Sequence, residues 1–356
     1  MNAMTFPTAI AVRPANLHDR AEGARIDAWV RAQPGATPFH LSAWTLAAEA
    51  GCNQRARTLV AEDARGAIHG MVPLSEVHSP LFGRALVSAG FAVGGGILAE
   101  DEHAARALAD AAWTLAQRLS CPTAELRGGD VPEGWAPVEG AHAGFVRAIA
   151  ADDDAELLAI PRKQRAEVRR ALGFDLAVAI GRGDEDRAAH YAIYAESVRN
   201  LGTPVFPRAL FTAVLDGFGA DADILTVRHE GRAIASVLSL YLNGTVYPYW
   251  GGGTADARTW RANDLMYFAL MRHARARGCT RFDFGRSKTG SGAFAFKRNW
   301  GFVPAPLTYA VRTDAGAPPR DVSPTSAKYR LQVALWQKLP LGVANRLGPL
   351  IARGLG

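Results

Sequence analysis

The feature that most restricts this chain is that its helix-spaced and strand-spaced stretches follow one order twice. The first pass runs from a helical segment over residues 21–32 and FHLSAWTLAAEAG, with Ser42 as a candidate N-cap, into TLVAED and AIHGMVPLSEV, which the turn Asp63–Gly66 joins as a hairpin. It continues through RALVSAG, the run Gly94–Gly96, the amphipathic stretch EDEHAARALADAAWTLAQRLS and the strand TAELRGG. The second pass starts after the acidic run Asp152–Asp154 with the helix IPRKQRAEVRRALG, where Pro161 sits in a first turn that tolerates proline. Strand LAVAI, helix DRAAHYAIYAESVRNLG, loop TPVFP and helix RALFTAVLDGF follow. Strands DILTVRHEG and AIASVLSLYLNGTVYPYWGGG come next, the latter folded back at Asn243-Gly244, the strongest short hairpin signal in the chain. Helix NDLMYFALMRHARARG, strand TRFDFG, a short helix around GAFAFKRNWG and strand LTYAV complete the pass. Such alternation specifies a mixed α/β (α+β) fold built twice. Residues 1–150 are expected as one domain, 151–312 as a second, and 313–356 as a linker and tail, in keeping with about 150 residues per domain.

Composition narrows the class. The chain has 356 residues, 49% hydrophobic and 21% charged, the profile of an ordinary globular protein rather than a disordered or membrane-spanning one. Its net charge of +6 is uneven. Residues 313–356 hold Arg320, Lys328, Arg330, Lys338, Arg346 and Arg353 against only Asp314 and Asp321. The remaining body is nearly neutral and poorly suited to wrapping duplex nucleic acid. The cluster Arg162, Lys163, Arg165, Arg169 and Arg170 reads as a solvated helix face, with a local phosphate site as the sharper alternative. Cys52, Cys121 and Cys279 are far apart and lack C-x-x-C spacing, which argues against disulfides and zinc and for a reducing compartment. The histidines are scattered without ligand spacing, so no metal site is expected. With no basic region opening a signal peptide and no apolar window of about 18 residues, a cytoplasmic protein is expected.

In the tail, Leu331, Leu335, Trp336 and Leu339 follow helical spacing before Pro340. A basic, tryptophan-bearing amphipathic segment over residues 328–356 suits peripheral contact with an anionic membrane, or packing on the chain's own domains.

Unusual chemistry concentrates between Trp250 and Gly301. In TRFDFGRSKTGSGAFAFKRNWGF, period-two geometry sets Phe282 and Phe284 on one strand face and Asp283 on the other. The strand is expected to end at Gly285 and deliver Arg286, Ser287 and Lys288 into a loop, at a carboxyl end where open α/β sheets place ligands. The triplet DFG lacks the other kinase signatures, the runs Gly94–Gly96 and Gly251–Gly253 lack the G-K-[ST] of a P-loop, and no G-x-S-x-G elbow exists. The glycine runs are expected to relieve crowding where strands end.

The run FDFGRSKTGSGAFAFKRNWG resembles the C-terminal signature of the FemAB-like acyltransferases, whose fold is two tandem GNAT (N-acyltransferase) modules. GTPVFP, NDLMYFALMRHA, FHLSAW and GMVPLSEVHSPLFGRALVSAGFAVGGG resemble the branch that accompanies exosortase/PEP-CTERM systems. The resemblance implies transfer of an acyl or aminoacyl group to an amine of a cell-envelope or exopolysaccharide precursor. It implies no tightly bound cofactor, and a donor that is an aminoacyl-tRNA or an acyl thioester. Its F-K pair falls on Phe296 and Lys297. On this reading Lys297 stabilises an oxyanion or a donor phosphate. Arg286, Ser287, Lys288 and Phe296 bind substrate, and Tyr249 and Trp250 wall the cleft. Asp283 is the candidate base, or else a buried carboxylate tied to an arginine. Ordinary GNAT enzymes hold coenzyme A pyrophosphate with [QR]-x-x-G-x-[GA] between the fourth strand and the next helix, where this chain reads GGGTADARTWRANDL. The competing class is a catalytically inactive GNAT-like binding module that recruits partners to envelope export machinery.

Overall fold

The computed structural model describes residues 10–317 and 330–356, and these divide into two units. Residues 10–138, 308–317 and 354–356 form the first, and residues 139–307 and 330–353 the second. The boundary lies at 138 rather than near 150, because residues 142–148 pair with a strand of the second unit. Residues 308–312, expected in the second domain, instead belong to the first, where Tyr309–Thr313 pair with Thr123–Arg127. The linker expected after residue 313 falls largely on positions 318–329, outside the described residues.

In chain order the first unit contains β1 (Ile10–Pro14), α1 (Arg20–Ala32), α2 (Ser42–Cys52), β2 (Arg55–Ala56), β3 (Leu59–Asp63), β4 (Ile68–Val72), β5 (Leu74–Ser79), β6 (Gly83–Ser88), β7 (Leu98–Ala99), α3 (Glu102–Arg118) and β8 (Thr123–Arg127). Pro73 splits the stretch expected as one strand into β4 and β5, since proline cannot donate to a ladder. Ser42 does not cap α2. Its hydroxyl donates to Asp27 Oδ2 at 2.6 Å, and Leu41 precedes the helix. Asp101 does cap α3, accepting the Ala104 N–H at 2.8 Å, and Leu108, Ala112, Trp113 and Ala116 then face the core with Leu59, Val72 and Leu86.

Gly96 shows why the first glycine run is there. A Cβ at Gly96 would lie 2.1 Å from the carbonyl oxygen of Gly128, a backbone atom that cannot rotate away. Gly96→Ala is therefore expected to destabilise the first unit by about 1–3 kcal/mol, seen as a lowered thermal midpoint. An unchanged melt would contradict the close approach.

The second unit contains β9 (Ala136–Ala148, its first residues in the first unit), α4 (Asp153–Ala159), α5 (Arg162–Leu172), β10 (Leu176–Gly181), α6 (Asp184–Asn200), α7 (Arg208–Phe218), β11 (Ala222–His229), β12 (Arg232–Leu242), β13 (Thr245–Gly253), α8 (Ala262–Ala276), β14 (Arg281–Lys288), α9 (Gly292–Asn299), the start of β15 (Pro304–Thr313), α10 (Arg330–Gln337) and α11 (Leu341–Ala352). Its strands lie in the order β10-β11-β12-β13-β14-β9, antiparallel except for β13 beside β14. Asn243 (φ 45°) and Gly244 (φ 69°) both adopt positive φ, as the two-residue hairpin turn demands. Phe145, Val237, Val246, Phe268, Phe282, Trp300 and Phe302 form the core.

The tail packs on this unit through Val333, Gln337 and Gly348. Gly202 (φ 81°) abuts Val333 and Gln337, and Gly348 abuts Val205. Arg199 Nη1 donates to the Gln337 carbonyl at 3.2 Å, and Ala344 and Ala352 are buried. The expected apolar stripe is split: Trp336 and Leu339 are half-buried, whereas Leu331 and Leu335 stay exposed.

Candidate functional site

β13 and β14 start as parallel neighbours, with Thr245 opposite Arg281 and Val246 opposite Phe282, and their pairing ends there. From that point β13 continues beside β12 to Gly253, and β14 beside β9 to Lys288. Two parallel strands that pair briefly and then follow other partners open a cleft toward their carboxyl ends.

One wall is β13. Leu238 opposes Trp250 and Ser239 opposes Pro248, so Tyr249 is the extra residue of a bulge. Its ring lies 4.9 Å from that of Trp250. Trp250 is buried against Phe211 of α7 at 4.5 Å and Phe206 of the preceding loop at 6.3 Å. The glycines after Trp250 admit helices from both faces: a Cβ at Gly251 would meet Tyr267 of α8 at 2.9 Å, and one at Gly252 would meet Ser197 of α6 at 2.6 Å.

The other wall is β14, and here the expected loop is absent. The strand continues through Arg286, Ser287 and Lys288, because β9 holds it: Asp283 opposes Val146, Arg286 opposes Gly144 and Lys288 opposes His142. The odd spacing is a bulge at Gly285 (φ 67°), a conformation that favours glycine, and Asp283 Oδ1 accepts the Gly285 N–H at 2.8 Å. Counted along β9, Asp283, Arg286 and Lys288 share one face, and Phe284 and Ser287 the other. Ser287 is buried, and its Oγ has no hydrogen-bond partner among the described residues.

Lys297 rises from α9 beneath this bulge. Only 9% exposed, its Nζ donates to the carbonyls of Arg286 at 2.9 Å and Gly285 at 3.2 Å, and it lies 5.4 Å from the ring centres of Phe145 and Phe284. Burial pulls the ammonium down to about 8; Asp283 opposes that fall and Arg286 adds to it. Burial pushes the Asp283 carboxyl up, against the Gly285 N–H, Lys297 and Arg281. Phe296 lies among the rings of Tyr267, Phe284 and Trp300, 5.7–6.2 Å away.

Lys297, Asp283, Arg286, Ser287, Lys288 and Phe296 thus lie together on β14 and α9, Asp283, Arg286 and Lys288 on one face and Ser287 on the other, where Lys297 and Phe296 pack against Phe284, whereas Trp250 on β13 is turned into the α7 side. The sequence reading missed two groups. Tyr247 lies on β13, its hydroxyl pushed up by burial first and by Asp283 second. Asp264, in the first turn of α8, is pushed up to about 6, mainly by burial, with Glu167 acting in the same direction; its Oδ1 accepts from Gln164. Nothing in NDLMYF distinguishes a buried carboxylate from a solvated one. Among the described residues, no group of His, Cys, Asp or Glu is placed to hold a metal ion, and no helix is long and apolar enough to cross a membrane.

Residues 159–298, which include all these candidate residues, match the family model described as an acetyltransferase (GNAT) domain. A stretch of 79 residues is 32% identical to the lipid II:glycine glycyltransferases of two Staphylococcus epidermidis strains, covering 20% of this chain and 19% of theirs. The match therefore spans only about a fifth of those relatives. Among solved structures, FemX superposes with a TM-score of 0.65 at 16% identity, over 84% of this chain and 96% of FemX. The C-terminal domain of a putative lysylphosphatidylglycerol synthetase from Agrobacterium fabrum gives 0.56 at 15% identity, over 83% and 93%. A tandem GNAT protein from the clavulanic acid biosynthesis pathway gives 0.54 at 13%, over 87% and 100%. At these identities the likeness concerns the fold, which is the mixed α/β architecture expected from the doubled order of elements and the tandem GNAT-like one that the resemblance of FDFGRSKTGSGAFAFKRNWG implies.

Proposed function

We propose that the β13–β14 cleft transfers an acyl or aminoacyl group from an aminoacyl-tRNA or acyl thioester to an amine of a cell-envelope or exopolysaccharide precursor. The observation that carries this reading is the parallel pair whose strands part after Val246, with Asp283, Arg286 and Lys288 sharing one face of β14. The GNAT match over residues 159–298 and the similarity to lipid II:glycine glycyltransferases support it. In the step proposed, the amine nitrogen attacks the donor carbonyl carbon and forms the C–N bond. The carbonyl π pair moves onto oxygen. When it returns, the C–O or C–S bond to the carrier breaks and the carrier leaves with that electron pair. Asp283 takes the proton lost by the amine, its raised affinity for protons suiting a base. Lys297, with two N–H bonds engaged by carbonyls, offers its third to the developing oxyanion. Arg286 and Lys288 hold an anionic group of either substrate.

The test is incubation of the purified protein with each donor class and an amine-bearing lipid-linked precursor, read by mass spectrometry. The expected product gains one acyl or aminoacyl unit on the amine. Retention of donor or acceptor without mass gain would overturn transfer and leave the recruitment module.

A lipid-linked acceptor would bring the protein to a membrane surface, peripherally and on the cytoplasmic side. The tail supports this part of the proposal: Leu331, Leu335, Leu347 and Leu350 are exposed, as are Leu201 nearby in sequence to the Gly202 contact and the charged Lys338 and Arg346. Each basic residue near an anionic surface contributes about 1 kcal/mol, so binding to anionic liposomes is expected to be reversible and weakened by salt. Because the inner face of the tail is packed, substitution is a cleaner test than truncation. The variant Leu331→Glu/Leu335→Glu/Leu347→Glu should lose liposome binding with its thermal midpoint unchanged; undiminished binding would refute the membrane contact.

A further inference from the structure

We propose that the second unit forms a two-fold dimer in which β10 pairs antiparallel with β10 of a second copy. Along its inner side β10 is fully paired with β11, from Leu176 opposite His229 to Gly181 opposite Ile224. Among the described residues no strand covers its outer side. The strand reads LAVAIG, without charge or proline, and Ala177, Val178, Ala179 and Ile180 are all exposed, Val178 at 41% and Ile180 at 43%. An apolar edge of this kind is a template for another strand.

The other strands at sheet edges are blunted in the usual ways. β1 carries Arg13 and ends in Pro14, and β2 and β7 have two residues each. Among the edge strands of the described residues, β10 alone is longer than two residues and free of charge and proline.

The sequence of β10 is self-complementary in one register. With the axis at Ala179, Val178 lies opposite Ile180 of the copy and Ile180 opposite its Val178, which gathers four branched side chains on one face. On the other face Ala177 meets Gly181, so nothing bulky keeps the backbones apart. The branched face is continuous with a groove also lined by Leu265 and Ala269 of α8 and by Asp152, Asp153 and Asp154.

Charge favours a copy of this chain over an unrelated strand through Asp152 and Asp154, which make no ion pair among the described residues, whereas Asp153 is already neutralised by Arg272 and Arg275, which also line the groove. The acidic run lies toward the Gly181 end of β10: Asp153 pairs with Arg272 and Arg275 near the end of α8, the same end at which His273 bonds Asp223, next to Ile224. Exposed Arg169 and Arg170 lie at the other end, in the last turn of α5 before β10 begins. Antiparallel pairing reverses the second copy and brings its Arg169 and Arg170 toward Asp152 and Asp154, twice over. The interface adds a six-residue strand pair and its flanks, toward the low end of stable interfaces at roughly 1,200 Å², so a micromolar dimer is expected. β11 and β12 separate β10 from the cleft, which stays open.

Sedimentation equilibrium of the full chain across the micromolar range tests this. The wild type should show a monomer–dimer equilibrium, whereas Val178→Lys and Ile180→Glu, both at exposed positions, should each be monomeric with unchanged circular dichroism. Mixing these two variants should restore association, because the register sets Lys at 178 against Glu at 180. A wild type that stays monomeric, a dimer that survives both substitutions, or a mixture that does not associate would overturn the proposal.

Discussion

Lys297→Ala will lower the transfer rate by about 10²- to 10³-fold, the usual loss for one oxyanion donor. The ammonium is placed to do more than pack: it is nearly enclosed, holds the Gly285 and Arg286 carbonyls, and has been pulled down to about 8 by burial. Alanine also leaves two carbonyls short of a donor at about 1–3 kcal/mol, so loss of rate alone does not separate chemistry from support. The pH profile does. Rate limited by the ammonium falls as pH rises through about 8, and Lys297→Arg, whose guanidinium stays charged throughout, should keep part of the rate and lose that fall. The stability effect has the opposite sense. The folded value of about 8 lies below the ordinary 10.5, so the unfolded chain binds the proton more tightly between them. The cost of burying the charge is full below pH 8 and is relieved as pH rises toward 10.5. Wild type should thus gain stability across that window relative to Lys297→Met. A rate loss with the falling limb unchanged in Lys297→Arg would reduce Lys297 to a structural brace.

What the sequence disclosed about this site was its local part. Phe282 to Trp300 lie within one strand, turn and helix, so period-two spacing placed Asp283, and the F-K pair of the resemblance placed Phe296 and Lys297 on the helix that follows it. The Asn243-Gly244 turn was legible for the same reason, since two adjacent residues fix it. The parts that were not legible depend on partners distant in sequence. Arg286, Ser287 and Lys288 read as a loop because three polar residues after a glycine usually are one, yet β9, far upstream, keeps them in a strand and turns Gly285 into a bulge. The contact between Gln164 and Asp264 spans 100 residues. Residues 308–313 rejoin the first unit through β8, a pairing to which a hydrophobic pattern is blind. The apolar stripe of the tail was visible; that Gly202 and Gly348 would anchor its reverse side was not.

Acetyl-coenzyme A is expected to bind only at millimolar concentrations or more weakly, roughly 10³-fold short of a micromolar site. A pyrophosphate at the start of α8 would need backbone amides free to point at it. Gly251, Gly252 and Gly253 are instead pressed against Tyr267, Ser197 and the Ala257–Asn263 pair, so their lack of side chains serves packing. Arg261, the N-cap, is in the left-handed region at φ 53° and its Nε donates to Glu167, which spends that guanidinium on a neighbour. The first turn of α8 then presents Asp264, already complementing the helix dipole and predominantly ionised at pH 7 with a value of about 6. A phosphate there would face Asp264 and Glu167 together. Whatever residual affinity exists should therefore rise as pH falls through about 6 and Asp264 takes up its proton. Calorimetric titration at pH 7 and pH 5 reads both features. A sub-micromolar dissociation constant at pH 7, indifferent to Asp264→Asn, would mean that the phosphates sit away from α8. The Arg286–Lys288 wall of β14 would then be their most strongly cationic alternative within the cleft, and the donor would be an acyl thioester.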